Sequence, residues 1–133
     1  MKVVVAGPRY KDMETKIIFD DYHLVVNAIR DSNYKIDELV SGNAVGVDRL
    51  GETYATATNT PVKLMPITSH DWSTLGKRAG MVRNRQMAEY CDAAVIVWDG
   101  VSKGTRNMIN EMIRLKKPYY LRMTMGTLED FYD

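Results

Sequence analysis

The chain reads as an α/β protein: a single Rossmann-like three-layer domain, residues 1–133, built on an open, mainly parallel five-stranded sheet. Three observations predict this. Short apolar runs rich in β-branched residues alternate with segments whose apolar residues recur at helical spacing, in the order β-α-β-α-β-α-β-α-β. The strongest runs are apolar throughout, not at alternate positions, which suits strands covered by helices on both faces. A length of 133 residues supports one domain with a substantial core.

The elements follow in order. KVVVA (2–6) is a β-branched strand. Residues 15–31 place Ile17, Ile18, Tyr22, Val25, Val26 and Ile29 on one helical face. DELV (37–40) is a weaker strand, and residues 46–59 form a helix with Val47, Leu50, Tyr54, Ala55 and Ala57 as its apolar positions. VKLMPI (62–67) is a second weak strand. PITSHDWSTLGKRAG (66–80) is the one long irregular connection, of a length that tends to carry function or to move. A helix over 81–91 holds Met81, Val82, Met87, Ala88 and Cys91. AAVIVW (93–98) is the strongest strand, and Met108, Ile109, Met112, Ile113 and Leu115 mark a helix over 104–116. PYYLRM (118–123) begins with a proline that ends that helix and reads as the last strand. The acidic tail GTLEDFYD (126–133) is a short last turn or an interface segment. Right-handed crossovers then give an open doubly wound sheet.

The totals exclude several classes. Lys and Arg number 18 against 17 Asp and Glu, and a net charge of +1 argues against a dedicated nucleic-acid binder. The single Cys91 rules out a disulfide framework within the chain and fits a reducing compartment. No apolar run reaches the roughly 18 residues of a membrane span. MKVVVAGPRY is no signal peptide, because its short apolar stretch runs straight into Gly-Pro. A soluble, cytoplasmic protein is expected.

In an open parallel sheet, ligands bind beyond the carboxyl ends of the strands. Four segments leave such ends: GPRY (7–10), SGNAVG (41–46), the loop around Trp72, and DGVSKGT (99–105). Two of them are glycine-rich and run into helices, where free N–H groups and the helix dipole favour an anion, most often phosphate. Glycines after a strand often serve only the turn, but two such loops in one sheet point to a site. Main-chain amides around 42–46 and 102–105 are expected to converge on one pocket and grip a negatively charged group. Gly42 and Gly46 would let the backbone approach it. The candidate binding residues are Gly7, Arg9, Ser41, Gly42, Asn43, Gly46, Asp48, Arg83, Asn84, Asp99, Gly100, Ser102, Lys103, Gly104 and Thr105. Neither G-x-G-x-x-G nor a P-loop is present.

The basic cluster Lys77, Arg78, Arg83 and Arg85 is either a solvated face or a source of a phosphate contact through Arg83 or Arg78. Tyr10, Trp72 and Trp98 could stack on a base, although the core-like run around Trp98 favours packing. No Cys or His stands at metal-ligand spacing from His23 or His70 in the sequence, so neither a metal nor another cofactor is expected. Cys91 ends an apolar helical face and reads as a buried thiol, not a nucleophile.

The blocks VSGNAVGVDRLGETYA and DWSTLGKRAGMVRNRQMAEYCDAAVIVWDGVSKGTRNMI resemble the YspA and YpsA-related branch of the SLOG superfamily, and more distantly the LOG phosphoribohydrolases. The likeness runs from VVVAGPRY to KKPYYL. It implies a Rossmann-like sheet that binds nucleotides or their derivatives, often as a homodimer or higher oligomer. Members are proposed as sensors or processors of such ligands, including in conflict between cells and phages. The LOG enzymes place an arginine four residues before a methionine, as Arg83 stands before Met87. Of their P-G-G-x-G-T-x-x-E loop this chain keeps Gly104 and Thr105, has Val101 and Ser102 for two glycines, and carries Met108 at the acid position. Glu111 comes three residues later. Asn43 and Val45 stand where the related S-G-G-A-R-G-V-D loop has glycine and arginine.

Three functions follow as expectations. The first is a sensor, carrier or sponge for a nucleoside phosphate or an ADP-ribose-like molecule. The second is an N-glycosidase, phosphoribohydrolase or deoxyribosyl-type hydrolase of nucleoside monophosphates, for which AGPRY and DGVSKGT also resemble the nucleoside deoxyribosyltransferases. It needs a carboxylate such as Asp48, Asp99 or Glu52 as its catalytic acid. The third is a protein- or nucleic-acid-interaction module, disfavoured by the neutral charge.

Overall fold

The computed structural model describes residues 1–9 and 19–124. Tyr10, Ile17, Ile18 and the acidic tail lie outside the described residues. Five strands form one sheet in which every neighbouring pair is parallel: β1 (Lys2–Ala6), β2 (Glu38–Ser41), β3 (Val62–Leu64), β4 (Ala93–Trp98) and β5 (Tyr119–Met123). The strand order is β3-β2-β1-β4-β5. The chain therefore winds outward on one side of β1, returns to its other side as β4, and reverses direction between β1 and β4.

Position in the sheet explains the sequence pattern. The central strands β1 and β4 are buried on both faces, with Val3, Val4, Val5 and Ala93 through Val97 inaccessible to solvent. Edge strand β3 exposes Lys63 and Leu64. It stops at Leu64, short of the expected 62–67, although Met65 still donates to the Ser41 carbonyl at 2.8 Å. Pro66 then offers no N–H to continue the ladder.

Helices α1 (Phe19–Ser32) and α2 (Val47–Ala57) cover one face. Val25, Ala28, Ile29, Leu50 and Ala55 pack there on Val3, Val5, Leu39 and Val95. Helices α4 (Ala79–Tyr90) and α5 (Lys103–Arg114) cover the other, where Met87, Ala88, Met108 and Met112 meet Val4, Val40, Ala94 and Ile96. Cys91 is buried in this second layer, and burial pushes its thiol up to about 11, which suits packing and not nucleophilic chemistry. Lys117 ties α4 down from below, its Nζ donating to the carbonyls of Ala88, Glu89 and Cys91 at 2.7–2.9 Å.

The stretch 66–80 is not irregular, as its composition led us to expect. It contains a short helix, α3 (Ser69–Leu75), and a 3₁₀ turn (Gly76–Arg78) that runs into α4. A capping box starts α3: Thr68 Oγ1 accepts from the Asp71 amide at 3.0 Å, and the Asp71 carboxylate accepts from the Thr68 amide at 2.9 Å. The Thr-x-x-Asp spacing carries that signal in the sequence itself. No residue of α3 is buried, so periodicity could not reveal it. No described helix is long and apolar enough to cross a membrane.

Candidate functional site

The carboxyl ends of β1 and β4 diverge at the point where the winding reverses, and a crevice forms there for that topological reason. It is a cavity of about 740 Å3. Residues 6–9 at the end of β1 and beyond it, 99, 102–108 and 110 from the turn after β4 and from α5, and the inner side of α4 contribute its walls, and Trp72 of α3 lines it too. The volume is that of a pocket for a small molecule.

Two turns feed it, and they are built differently. The turn after β2 is knitted to itself. Ser41 is fully buried and its hydroxyl donates to Glu52 at 2.7 Å, while its oxygen also accepts from the Asn43 amide at 3.0 Å. Asp48, in the first turn of α2, accepts from the Ala44 amide at 3.2 Å. Arg49 Nε donates to the Asn43 carbonyl at 3.2 Å, and Arg83 of α4 donates to the Gly42 carbonyl at 2.8 Å. A Cβ on Gly42 would lie 2.7 Å from the Arg83 guanidinium carbon and 2.9 Å from Asp48 Oδ2, so this glycine makes room for protein side chains. Gly46 has φ 126°, a left-handed-side geometry that only glycine tolerates, and it bridges to Arg9. Gly7 is equally committed, since its Cβ would meet Val47 and the Val97 carbonyl at 2.7 Å.

The turn after β4 is held from behind and open in front. Asp99 accepts from the amides of Val101 and Ser102 at 3.0 and 2.8 Å, and the Trp98 indole N–H donates to the Ser102 carbonyl at 3.1 Å. Gly100, at φ 84°, turns the chain between them. Ser102 then caps α5 without a side-chain hydrogen bond to the helix amides. The first-turn amides of Lys103, Gly104 and Thr105 find no acceptor among the described residues. A Cβ on Gly104 would meet nothing within 4 Å. Thr105 is buried and its hydroxyl donates to Ser102 Oγ at 3.2 Å.

Arg83 and Asp48 bring opposite charges to the site, and each influences the other without an ion pair among the described residues. Asn84, nearly inaccessible, accepts from Arg83 Nε at 3.2 Å while its amide donates to the Gly104 carbonyl at 3.1 Å and to Asn107 at 2.9 Å. It is a strut that fixes Arg83 relative to the first turn of α5. Burial pushes the Asp48 carboxyl up from 3.8 to about 6, and Glu52 adds to this, while Arg83, the Ala44 amide and Arg9 pull the other way. Burial correspondingly lowers the Arg83 guanidinium, and Asp48 opposes that. A carboxyl poised near neutrality in a cavity can take or give a proton.

Of the expected residues, Gly7, Arg9, Asp48, Arg83, Asn84, Asp99, Ser102, Lys103, Gly104 and Thr105 line the cavity together. Ser41, Gly42, Asn43, Gly46 and Gly100 do not line it; they shape the turns behind it. The amides of Asn43 and Ala44, expected to face a ligand, are engaged by Ser41 and Asp48. Asp99 already serves its own loop. Lys77 lines the cavity, whereas Arg78 and Arg85 lie outside it. Trp72 lines it and is half exposed. Trp98 does not, and the Arg106 guanidinium stacks 5.4 Å above its ring. Met108, at the position of the LOG acid, is buried and lines the cavity, so no carboxylate stands there. Glu111 is instead held by Arg114 at 2.8 Å and Arg85 at 3.7 Å, away from it. Sequence reasoning missed Ile67, Gly80 and Met81 as lining residues. The helical start signalled at Thr68 would have brought Ile67 and the following turn beside the site.

No protein-family model matches the chain, and no curated protein sequence matches it either. Among solved structures it is similar to DNA processing protein A (DprA) from Streptococcus pneumoniae, with a TM-score of 0.68 at 17% identity over 90% of this chain and 49% of that chain. The chain thus spans about half the length of that neighbour. The likeness shows a Rossmann-like α/β fold and nothing finer.

Proposed function

We propose that the chain binds a nucleotide-derived anion, a nucleoside phosphate or an ADP-ribose-like molecule, in the cavity between β1 and β4, and acts as a sensor, carrier or sponge for it. One observation carries this reading: the uncapped first turn of α5 and the half-buried, strut-held Arg83 line the same cavity at the reversal of the sheet. Amides already fixed in direction cost little to reorganise around an anion. Arg9, Lys77, Lys103 and Arg106 add positive charge to the walls. Membership of the YspA-like branch, and assembly as a homodimer or larger oligomer, belong to the same reading, and native mass spectrometry of protein purified from cells tests both the assembly and any copurified ligand.

Thermal unfolding in the presence of AMP, ADP, ADP-ribose and a single-stranded oligonucleotide tests the reading. A nucleotide at a hundredfold excess over its dissociation constant stabilises the fold by about 2.7 kcal/mol. No stabilisation by any nucleotide defeats it. Stabilisation by the oligonucleotide alone moves the function toward DNA, which the neighbour's name says that protein processes.

Asp48 favours a second reading, hydrolysis of the N-glycosidic bond of a nucleoside monophosphate. Its carboxyl, at about 6, faces the cavity and is not engaged by an ion pair within 4.0 Å among the described residues. Such a group can protonate a leaving base or activate water. Release of free base from AMP, lost in Asp48→Asn, identifies the enzyme; binding without release identifies the carrier.

A further inference from the structure

We infer that the ligand carries a planar aromatic base, and that Gly80 and Trp72 form the subsite that receives it. The inference rests on the proposed anion site and extends it to further residues of the same cavity.

The glycines make the argument. Gly7, Gly42 and Gly51 sit where a Cβ would strike protein atoms within 3 Å. Gly46, Gly76 and Gly100 have positive φ. Each of these six is required by the fold. Gly80 and Gly104 are not. Both are helical and neither has positive φ. A Cβ at 80 meets only Ile67 Cδ1 at 4.0 Å, and one at 104 meets nothing within 4 Å. Alanine would favour each helix more than glycine does. Both residues nevertheless line the same cavity, one on α4 and one on α5. What two unneeded glycines leave there is space.

The two spaces differ chemically. Gly104 lies among the free amides of the α5 start, the anionic end. Gly80 is followed in the chain by Met81, a Cβ on it would stand 4.0 Å from Ile67 Cδ1, and Trp72 lines the same cavity, an apolar set. Trp72 is 48% and Met81 58% exposed, large apolar surfaces to leave in water at the rim of a crevice. A bare patch of helix backbone at Gly80 and an exposed indole on the wall of the same cavity suit a ring plane, which stacks on an aromatic face irrespective of base identity. A sugar phosphate without a base would leave this apolar set uncovered.

Calorimetric titration of the full chain with AMP and with ribose 5-phosphate tests the assignment. The methyl of Gly80→Ala intrudes on the ring plane and should weaken AMP about tenfold, with ribose 5-phosphate changed less than about twofold. The melting temperature of that variant should equal or exceed that of the parent, because the new methyl clashes with nothing in the protein. Trp72→Ala should likewise weaken AMP about tenfold while Trp72→Phe retains most of the affinity. If the parent binds both probes and neither variant discriminates between them, the base subsite is wrong and the anion site stands. Binding of neither probe by the parent removes both.

Discussion

Two glycine-rich turns leave the strands on either side of β1 toward helix starts, and they have opposite fates. In the turn after β2 the amides of Asn43 and Ala44 and the carbonyls of Gly42 and Asn43 all have partners from the protein. In the turn after β4 the loop is braced by Asp99 and Trp98, yet the first turn of α5 is left uncapped toward a cavity. Glycine content does not separate them. What separates them is whether a side chain has already claimed the amide. Asp48 closes one turn from inside its helix, whereas Asp99 precedes its helix and holds the loop from behind, which leaves the helix start available.

The comparison can be broken at Asp48. Its carboxyl titrates higher folded than unfolded, so it adds stability at low pH that is lost as pH rises from about 4 to about 6. A rise of about two units corresponds to about 3 kcal/mol. Urea titrations across that range should show this loss, and Asp48→Asn, which can still accept from the Ala44 amide, should flatten it. An unchanged pH profile in the variant would place the titration elsewhere.

Next in size is Gly42→Ala, whose methyl meets Arg83 and Asp48. Overpacking of this kind costs about 1–3 kcal/mol, measured by urea unfolding at neutral pH. The paired substitution Gly104→Ala should have the opposite sign, a gain of about 0.5 kcal/mol in stability from helix propensity. It should also weaken nucleotide binding if the open turn is the anion site. Equal losses at 42 and 104 would erase the distinction between the two turns. The smallest effect is Asn43→Gly. Asn43 has φ 59°, a conformation that asparagine and glycine both tolerate, so stability should change by less than about 0.5 kcal/mol, whereas Asn43→Ala should cost about 1 kcal/mol.

Much of the fold was legible because its signals are local. The runs at 2–6 and 93–98 are apolar throughout because they are the two central strands, and the weak runs are weak because they are short or at an edge. The helix α3 was missed because it buries nothing, so its apolar residues show no period; only its cap announces it. The site was legible to the level of the loop. Asp48 and Gly104 were identifiable from their place after strands and Arg83 from the basic cluster at its helix start, and the three share one cavity. The role of Gly42 was not identifiable, because the side chain that fills the space beside it comes from 41 residues away.

The amino-acid sequence by itself determined the alternation of elements, the two-faced burial of the sheet and the whereabouts of the glycine-rich turns, since each follows from side-chain character repeated over a few neighbouring positions. The tertiary structure alone decided the strand order, hence where the crevice opens, and which polar groups facing it have no partner among the described residues. Hydrogen bonds are made by proximity in space, and Arg83, Asn84 and Asp48 reach their partners only after the sheet has brought separate stretches of chain together.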